Sequence, residues 1–242
     1  MSEAAPTAAL LIIGNEVLGG RVVDANGPYL LGALRERGVS VSEMRVLADS
    51  EPAIVEAIGA LRRRVQRVVC TGGIGPTHDD VTVRALAHAF GRPVVIHPEL
   101  KEAVRRTFGE AGAQRAMRLA EVPEGAEVLL DTKTLVPIIT LDNVTLLPGV
   151  PSFVRASAAA ALGDLRGPPL ACCELTVKAH ETAIAADLAE VQDAYEDLAI
   201  GSYPQFARGG VTVLVRVEGR AERRVQQAAA DLRRRLGKLR RR

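Results

Sequence analysis

A repeated alternation between short apolar runs and amphipathic stretches is the feature that most constrains how this chain can fold. Ala8 to Ile13, Val39 to Leu47 and Arg67 to Thr71 are predicted strands, and the stretches after them carry the apolar spacing of helices. Such alternation is typical of crossover units around a mostly parallel sheet. We therefore predict an α/β domain over about the first 165 residues.

Helix and turn signals predict the remaining elements of this domain. Proline suits the first turn of a helix, and glycine commonly follows its last turn. The predicted helices run from about Pro28 to before Gly38, over Pro52–Val65, over Asp80–Phe90, over about Pro98–Ala120 and onward from Pro151. The other predicted strands are Val94–Ile96 and segments around Val128, Ile139 and Leu146, with a tight turn at Asp142-Asn143.

A cluster of breaker residues from Gly163 to Pro169 predicts a domain boundary. We expect an α/β domain over residues 1–165 and a small α+β subdomain over residues 170–242. The elements predicted for the second domain are a strand over Ala171–Ala179, a helix from Glu181 to about Ala194, a turn at Gly201–Pro204, a strand over Val211–Val217 and a C-terminal helix.

Composition excludes several classes of protein. With 48% hydrophobic residues the chain can bury a sizeable core, which excludes general disorder. Aromatic residues are only 3%, without Trp, which argues against a surface that stacks unpaired bases. Three cysteines cannot form a disulfide framework or a four-cysteine zinc site. The scarcity of cysteine makes a reducing cytoplasm the expected compartment. The apolar opening is shorter than the roughly 20 residues of a membrane span, so we expect no membrane span.

Positive charge is concentrated at the C-terminal end. The whole chain has a formal net charge of only +2, yet residues 220–242 hold ten Arg or Lys against two acids. Such a tail can serve as an electrostatic arm for nucleic acid, or it can be a solvated helix end whose charge complements the helix dipole. We favour the second interpretation, because nothing else in the chain resembles base readout.

A glycine-rich loop, TGGIGPTHDDVT from Thr71 to Thr82, joins the third strand to the next helix. Loops of this kind, at the carboxyl ends of parallel strands and before a helix N-terminus, favour phosphate-bearing ligands. The alternative is an ordinary tight turn in which Asp79 or Asp80 caps the helix. The residues that would contact a ligand in the first interpretation are Gly72, Gly73, Gly75, Thr77 and Thr82.

Four carboxylates lie near the ends of two predicted strands, namely Glu16, Asp24, Asp79 and Asp80. If the first and third strands are neighbours, these side chains can converge on one crevice. Carboxylates repel phosphates unless a cation intervenes, so the combination indicates a divalent metal with oxygen ligands. Asp24 and Asn26 also suit a cap or turn before the second helix, and this alternative remains open.

Other polar and cysteine residues have a structural interpretation beside the functional one. His78 either contacts a phosphate or moves a proton, or it is an ordinary neighbour of the acids, which we favour. The segment Leu147–Ser152 either forms the far wall of the crevice, through Pro148 and Gly149, or is a rigid connector. Cys70 is expected to pack in the core, and no Ser, Cys or His arrangement indicates a covalent nucleophile.

Together these segments resemble the molybdopterin-binding-domain superfamily, which has the MoaB/Mog-like fold. They resemble in particular the branch that contains the N-terminal domain of CinA, the competence/damage-inducible protein, and that of FAD synthases. The similarity covers nearly the whole chain. It rests on IGNEVLGGRVVDAN from Ile13 to Asn26, TGGIGPTHDDVT from Thr71, PEGAEVL from Pro123, LPGVPS from Leu147, ETAIA from Glu181 and GSYP from Gly201.

The resemblance implies a three-layer α/β sandwich, commonly a homo-oligomer, with pyrophosphatase activity toward dinucleotides such as ADP-ribose or FAD. It implies a divalent metal, Mg²⁺, Mn²⁺ or Co²⁺, as cofactor, and a nucleotide or pterin-like molecule as ligand. We expect no membrane partner and no nucleic acid. The catalytic candidates are Asp80, Asp24 and Asp79, the metal candidates are Glu16, Asp24 and Asp80, and the substrate-binding candidates are Gly72, Gly73, Gly75, Thr77, Thr82, Asn26, Pro148 and Gly149.

The chain departs from the family pattern on the far side of the expected pocket. Relatives usually have Asn and Gln where this chain has Ala116 and Leu119, and an acid where it has Phe153. A GTAPG-like loop is replaced by the residues Thr134–Ile138. The acidic half of the site is therefore kept and the opposite half altered. A non-catalytic module that binds a nucleotide or molybdopterin is the alternative function.

Overall fold

The structure, a computed structural model, describes residues 5–131, 136–207 and 210–237. It divides into two compact units, Met1–Gly167 and Pro168–Arg242. The division falls inside the segment Gly163–Pro169, where breaker residues predict a boundary.

The first unit is built on a six-stranded sheet. Its strands are β1 (Thr7–Ile13), β2 (Ser40–Leu47), β3 (Arg67–Thr71), β6 (Glu127–Asp131), β7 (Val136–Leu141) and β8 (Val144–Leu147). Their order is β2-β1-β3-β8-β7-β6. The first four in this order run parallel, and β7 and β6 are antiparallel additions at one edge. Two short strands, β4 (Val94–Ile96) and β5 (Glu121–Pro123), pair separately. The mostly parallel α/β sheet is therefore confirmed.

Helices cover both faces of this sheet. They are α1 (Asn15–Leu18), α2 (Asn26–Glu36), α3 (Glu51–Leu61), α4 (Thr82–Ala89), α5 (Pro98–Ala116) and α6 (Pro151–Leu162), and a 3₁₀ turn spans Met117–Ala120. Successive residues of a strand point to opposite faces. Accordingly, Leu11 belongs to an apolar cluster with Ile58 of α3, whereas Leu10 belongs to another with Leu30 of α2. Two cores on either side of one sheet make the expected three-layer sandwich.

Strand register brings three loops to one edge of the sheet. β1 pairs directly with β3, with Ile12 opposite Thr71, as the crevice hypothesis requires. β3 pairs in turn with β8, with Thr71 opposite Leu147. The chain leaves all three strands at the same carboxyl edge, so the segments that follow them are neighbours in space although they are far apart in sequence.

The second unit is a three-stranded antiparallel sheet with two helices. Its elements are β9 (Ala171–Val177), α7 (Glu181–Ala194), β10 (Ala199–Ala207), β11 (Gly210–Gly219) and α8 (Glu222–Leu236), with the strand order β10-β11-β9. Val215 and Val217 on the central strand share a buried cluster with Ile184 of α7 and Leu232 of α8. The predicted turn at Gly201–Pro204 is wrong, because these residues lie inside β10.

The part of the basic tail that the structure describes is largely paired within its own unit. Arg234 contacts Asp231 at 2.7 Å, Arg235 contacts Glu190, and Arg233 donates to the Cys173 sulfur at 3.3 Å. Residues 238–242 lie outside the described residues. These contacts fit a solvated helix end.

Among the described helices, none has the length and apolar character that crossing a membrane requires.

Candidate functional site

A cavity of about 610 Å³ lies at the carboxyl edge of the first unit's sheet. Its volume is in the range of small-molecule sites. The segments after β1, β2, β3 and β8 contribute its walls. Of the sequence-predicted residues, the cavity is lined by Glu16, Asp24, Asn26, Gly72, Gly73, Gly75, Thr77, Asp79, Asp80, Pro148 and Gly149.

The first loop places Asp24 at the start of α2. Its Oδ1 accepts hydrogen bonds from the backbone N–H of Asn26 at 2.9 Å and of Gly27 at 3.0 Å. These are the first N–H groups of the helix, which have no partner within it. Asp24 thus fills the capping role that the sequence left open, and its half-buried carboxylate also faces the cavity.

A buried polar network joins the first loop to the other two. Asn26 Nδ2 donates to the Gly149 carbonyl at 2.7 Å and to Thr71 Oγ1 at 3.2 Å. The Thr71 hydroxyl donates in turn to the Pro148 carbonyl at 2.6 Å. Pro148 and Gly149 are therefore held against the first loop as a wall of the cavity, beyond the role of a connector.

Backbone geometry explains why residue 72, in the second loop, is a glycine. Gly72 has φ +103°, a conformation that residues with a side chain rarely adopt. A Cβ on Gly72 would lie 2.1 Å from the Ile13 carbonyl oxygen. Its N–H donates to the Leu147 carbonyl at 3.1 Å, so this amide continues the sheet and is occupied. The amides left to contact a ligand in this loop are those that follow.

The acidic part of the second loop is a compact turn. Asp80 Oδ2 accepts from the Thr77 N–H at 2.8 Å and from the Thr77 hydroxyl at 2.5 Å. The same hydroxyl lies 2.7 Å from Asp79 Oδ1, so its one hydrogen is shared between the two acids, and its bond to Asp79 lowers the pKa of that carboxyl below its ordinary value. Neither acid caps α4 in the predicted way, because the helix starts at Thr82 and its N-cap, Val81, has no side-chain bond.

Two predicted residues lie outside the cavity. Thr82 is completely buried, and its hydroxyl donates to the Gly72 carbonyl at 2.9 Å. The prediction that Thr82 contacts substrate is therefore wrong in this structure, and its role is to hold the loop. The His78 side chain is 97% exposed and lies 3.9 Å from Asp79, as an ordinary loop neighbour.

Two polar residues of the site were missed from the sequence. Asp49, two residues after β2, lines the cavity and accepts a hydrogen bond from the Asn15 N–H at 2.7 Å. Its position just after a parallel strand could have identified it as a candidate site residue. Arg118 donates to the carbonyl oxygens of Thr77 at 2.5 Å and Asp80 at 2.9 Å. No local pattern marks this long-range contact.

The far side of the cavity is apolar where it is described. Leu119, Val136 and Phe153 line it, which agrees with the departures from the family pattern. Thr134 and Leu135, part of the altered loop, lie outside the described residues. The lining of the cavity therefore combines carboxylates with aliphatic and aromatic side chains.

The charged side chains that line the described part of the cavity are all acidic. Five carboxylates line it, those of Glu16, Asp24, Asp49, Asp79 and Asp80, and none of its described lining residues is Lys, Arg or His. Within the described ranges, no three Asp, Glu, His or Cys side chains are grouped closely enough to hold a metal ion. The predicted metal ligands Glu16, Asp24 and Asp80 therefore share the cavity without forming a three-ligand cage.

Comparisons with known proteins divide the chain at the same place as the structure does. Residues 9–166 match the family described as "Probable molybdopterin binding domain", and residues 169–240 match "FAD synthase, middle domain". A protein of Aeropyrum pernix is 33% identical, over 99% of this chain and 94% of its own length.

Two further similarities come from named proteins. A Caenorhabditis elegans protein named "Probable FAD synthase" is 29% identical over 94% of this chain, which spans 49% of that protein. The crystal structure of CinA from Thermoplasma acidophilum has a TM-score of 0.60 and 27% identity, covering 65% of this chain and 96% of that one. The chain therefore belongs to the molybdopterin-binding-domain family, in its CinA-like branch, and carries the middle domain found in FAD synthases.

Proposed function

We propose that the cavity binds a dinucleotide-type diphosphate, such as ADP-ribose or FAD, and hydrolyses it to AMP and a second monophosphate. The observation that carries this proposal is the meeting of five carboxylates with a glycine-rich strand-to-helix loop around one cavity. Backbone amides of such loops suit phosphate oxygens. The carboxylates suit a hard cation that accompanies the phosphates.

The residues of the cavity fit a divalent metal ion that is held jointly by one or two carboxylates and the phosphates of the substrate. Protein-only cages are not the usual binding mode of Mg²⁺, which is commonly held by one or two carboxylates together with substrate phosphates. Oxygen donors without a three-ligand cluster agree with that mode. In the proposal, Asp80 with Asp24 or Glu16 holds the ion. When bound, such an ion neutralises phosphate charge and acidifies a coordinated water.

The chain's own groups have separate tasks in this reaction. The amides of Gly73 and Gly75 bind and orient the phosphate oxygens. Asp79, with its pKa lowered by the Thr77 hydroxyl, is ionised at neutral pH. A lowered pKa makes it a weak base, so we assign Asp79 to orienting the attacking water through its carboxylate. Water adds to one phosphorus and releases a proton to solvent, the bridging P–O bond breaks, and the bridging oxygen leaves as an anionic oxygen of the other phosphate.

Hydrolysis is tested by incubating the purified chain with ADP-ribose or FAD and Mg²⁺, Mn²⁺ or Co²⁺, and measuring AMP by chromatography. We expect AMP release that stops on chelation and in Asp80→Asn. Asp142→Asn, which changes an exposed turn acid, is the matched control and should keep full activity. Circular dichroism checks that both variants are folded. No AMP with any of the metals would reject the hydrolase.

A non-catalytic binding module is the second candidate. One observation favours it: the matching family is described as binding molybdopterin. Calorimetry separates the two functions. Nucleotide or pterin binding without turnover supports the module, whereas turnover rejects it.

A further inference from the structure

The side-chain amide of Asn26 can point in only one direction. Both of its N–H hydrogens are used, one on the Gly149 carbonyl at 2.7 Å and one on Thr71 Oγ1 at 3.2 Å. The Thr71 hydroxyl has donated its own hydrogen to the Pro148 carbonyl, so toward Asn26 it acts as an acceptor. A flipped amide would place Asn26 Oδ1 against the Gly149 carbonyl oxygen, and two acceptors repel each other.

This fixed orientation leaves an acceptor without a partner on a residue that lines the cavity. Asn26 is only 7% exposed and lines the cavity, and its Oδ1 is buried with no hydrogen-bond partner among the described residues. Buried polar atoms in folded proteins are nearly always hydrogen-bonded, and an orphan calls for an explanation. A bound molecule that donates to Oδ1 supplies one.

A phosphate oxygen would be repelled by Oδ1, so its partner is either a cation or a hydrogen-bond donor, and the donor is the one that analogues of the ligand can test. The cavity's other polar side chains do not compete for the acceptor: five are carboxylates, and the hydroxyls of Thr71 and Thr77 are directed to other acceptors. The groups bonded to Asn26 are the Asp24 carboxylate, the Thr71 hydroxyl and the Gly149 carbonyl, so its immediate surroundings are polar. A sugar hydroxyl, which is a donor and is itself polar, suits such surroundings.

We propose that Asn26 Oδ1 accepts a hydrogen bond from a ribose hydroxyl of the substrate, which makes Asn26 a specificity-determining residue for ribose over deoxyribose. This inference rests on the proposed function only in taking the ligand to be a ribonucleotide. It does not require that the ligand be hydrolysed. A site built around a substrate hydroxyl discriminates strongly against analogues that lack it, because its buried acceptor is then left unpaired.

The test uses ADP-ribose analogues changed at one ribose hydroxyl at a time, with Mg²⁺ present. Each hydroxyl is replaced by hydrogen, by fluorine, which cannot donate, and by an amino group, which can. We expect one position at which the deoxy and fluoro analogues lose at least tenfold in kcat/KM, or in Kd if no turnover occurs. At that position the amino analogue should stay within threefold of ADP-ribose.

Asn26→Ala gives the complementary measurement. It removes the acceptor, so the variant should treat ribose and deoxyribose analogues alike within about twofold. Asn26→Ala also removes the bonds to Gly149 and Thr71, and it therefore has to be checked for folding. If it does not fold, the analogue series on the unmodified chain still decides the inference.

Each outcome separates the inference from the proposed function. Hydrolysis with equal use of every sugar analogue overturns the role of Asn26 and leaves the hydrolase standing. Binding that discriminates sugar analogues without AMP release supports the role of Asn26 and rejects the hydrolase. An ADP-ribose analogue without the adenine amine completes the series, and discrimination against that analogue alone overturns the ribose assignment. Failure to bind any ribonucleotide overturns both.

Discussion

The Arg118 guanidinium donates a 2.9 Å hydrogen bond to the backbone carbonyl of Asp80, from 38 residues further along the chain. A second bond from the same group reaches the carbonyl of Thr77. One planar cation therefore holds both ends of the turn that presents the two acids to the cavity. Its hydrogen bonds go to the carbonyl oxygens, and its charge adds to the causes that lower the pKa of Asp79.

Removing the Arg118 guanidinium should lower ligand affinity or AMP release more than it lowers the free energy of unfolding. We expect Arg118→Met to lower ligand affinity or AMP release about tenfold, since small misplacements of site groups have effects of that order or larger. The free energy of unfolding should fall by only about 1 kcal/mol, because Arg118 is partly exposed. Arg118→Lys should rescue little, since an ammonium lacks the planar fork. Arg115→Met, at an exposed position of α5, is the control for urea melts and activity.

Gly75 lies close enough to Asp80 for a methyl group to displace the carboxylate. A Cβ on Gly75 would be 2.6 Å from Asp80 Oδ2, which is shorter than real Cβ contacts. Gly75→Ala should therefore reduce AMP release or ligand affinity about tenfold or more. Gly32→Ala is the matched control, because a Cβ there meets nothing within 4 Å and the residue lies inside α2.

The two glycine variants should also differ in stability. Gly32→Ala should raise the free energy of unfolding by up to about 1 kcal/mol, as alanine does at open helix positions. If Gly75→Ala and Gly32→Ala have the same activity, the close packing of Gly75 on Asp80 has no functional consequence.

Sequence reasoning succeeded where local pattern and topology decide the outcome. The bounds of β3 follow from a short apolar run between polar residues, and its pairing with β1, which the sequence left as a condition, is one that alternating crossovers allow. Once these strands are neighbours, the carboxyl-edge rule places Glu16 and Asp80 at one cavity. The family resemblance added the expected three-layer fold, which the structure also has.

One local contact and several long-range ones account for the main failures at the site. The helix that was expected to begin at Asp80 begins at Thr82, because the Asp80 carboxylate bonds the Thr77 amide behind it. Arg118 gives no signal of its own, since its partners are main-chain carbonyls in another segment. The orientation of Asn26 depends on two further loops, and these too are separated from it in sequence.

In the second unit, four residues with turn composition form part of an edge strand instead. Gly201-Ser202-Tyr203-Pro204 has turn composition, yet it continues β10 and pairs with β11, for example Tyr203 opposite Leu214. β10 is at the edge of its sheet, where proline is tolerated because one side of the strand has no partner to bond. Composition alone does not distinguish an edge strand from a turn.

Thr77→Val should raise the pKa of Asp79 toward its ordinary value. The Thr77 hydroxyl is the largest cause of the lowered pKa, and valine keeps its shape without a donor. A pKa lowered in the folded state gives stability above the unfolded pKa that is lost as pH falls through the folded one. The variant should therefore lose less stability on acidification than the unmodified chain. Carboxyl ¹³C NMR titration measures the pKa, with exposed Thr107→Val as control.

The buried thiol of Cys70 should make the first unit less stable as the pH rises above 9. Burial in β3 raises the pKa of its thiol from 9.0 to about 12, so between these values only the unfolded chain releases the proton. The free energy of unfolding should then fall with rising pH, by up to about 1.4 kcal/mol per pH unit. Cys70→Ala should flatten this slope in urea melts followed by circular dichroism above pH 9, whereas Cys172→Ala, which removes an exposed thiol, should leave most of it. Equal slopes in the unmodified chain and Cys70→Ala would show that the thiol proton is not what links pH to folding.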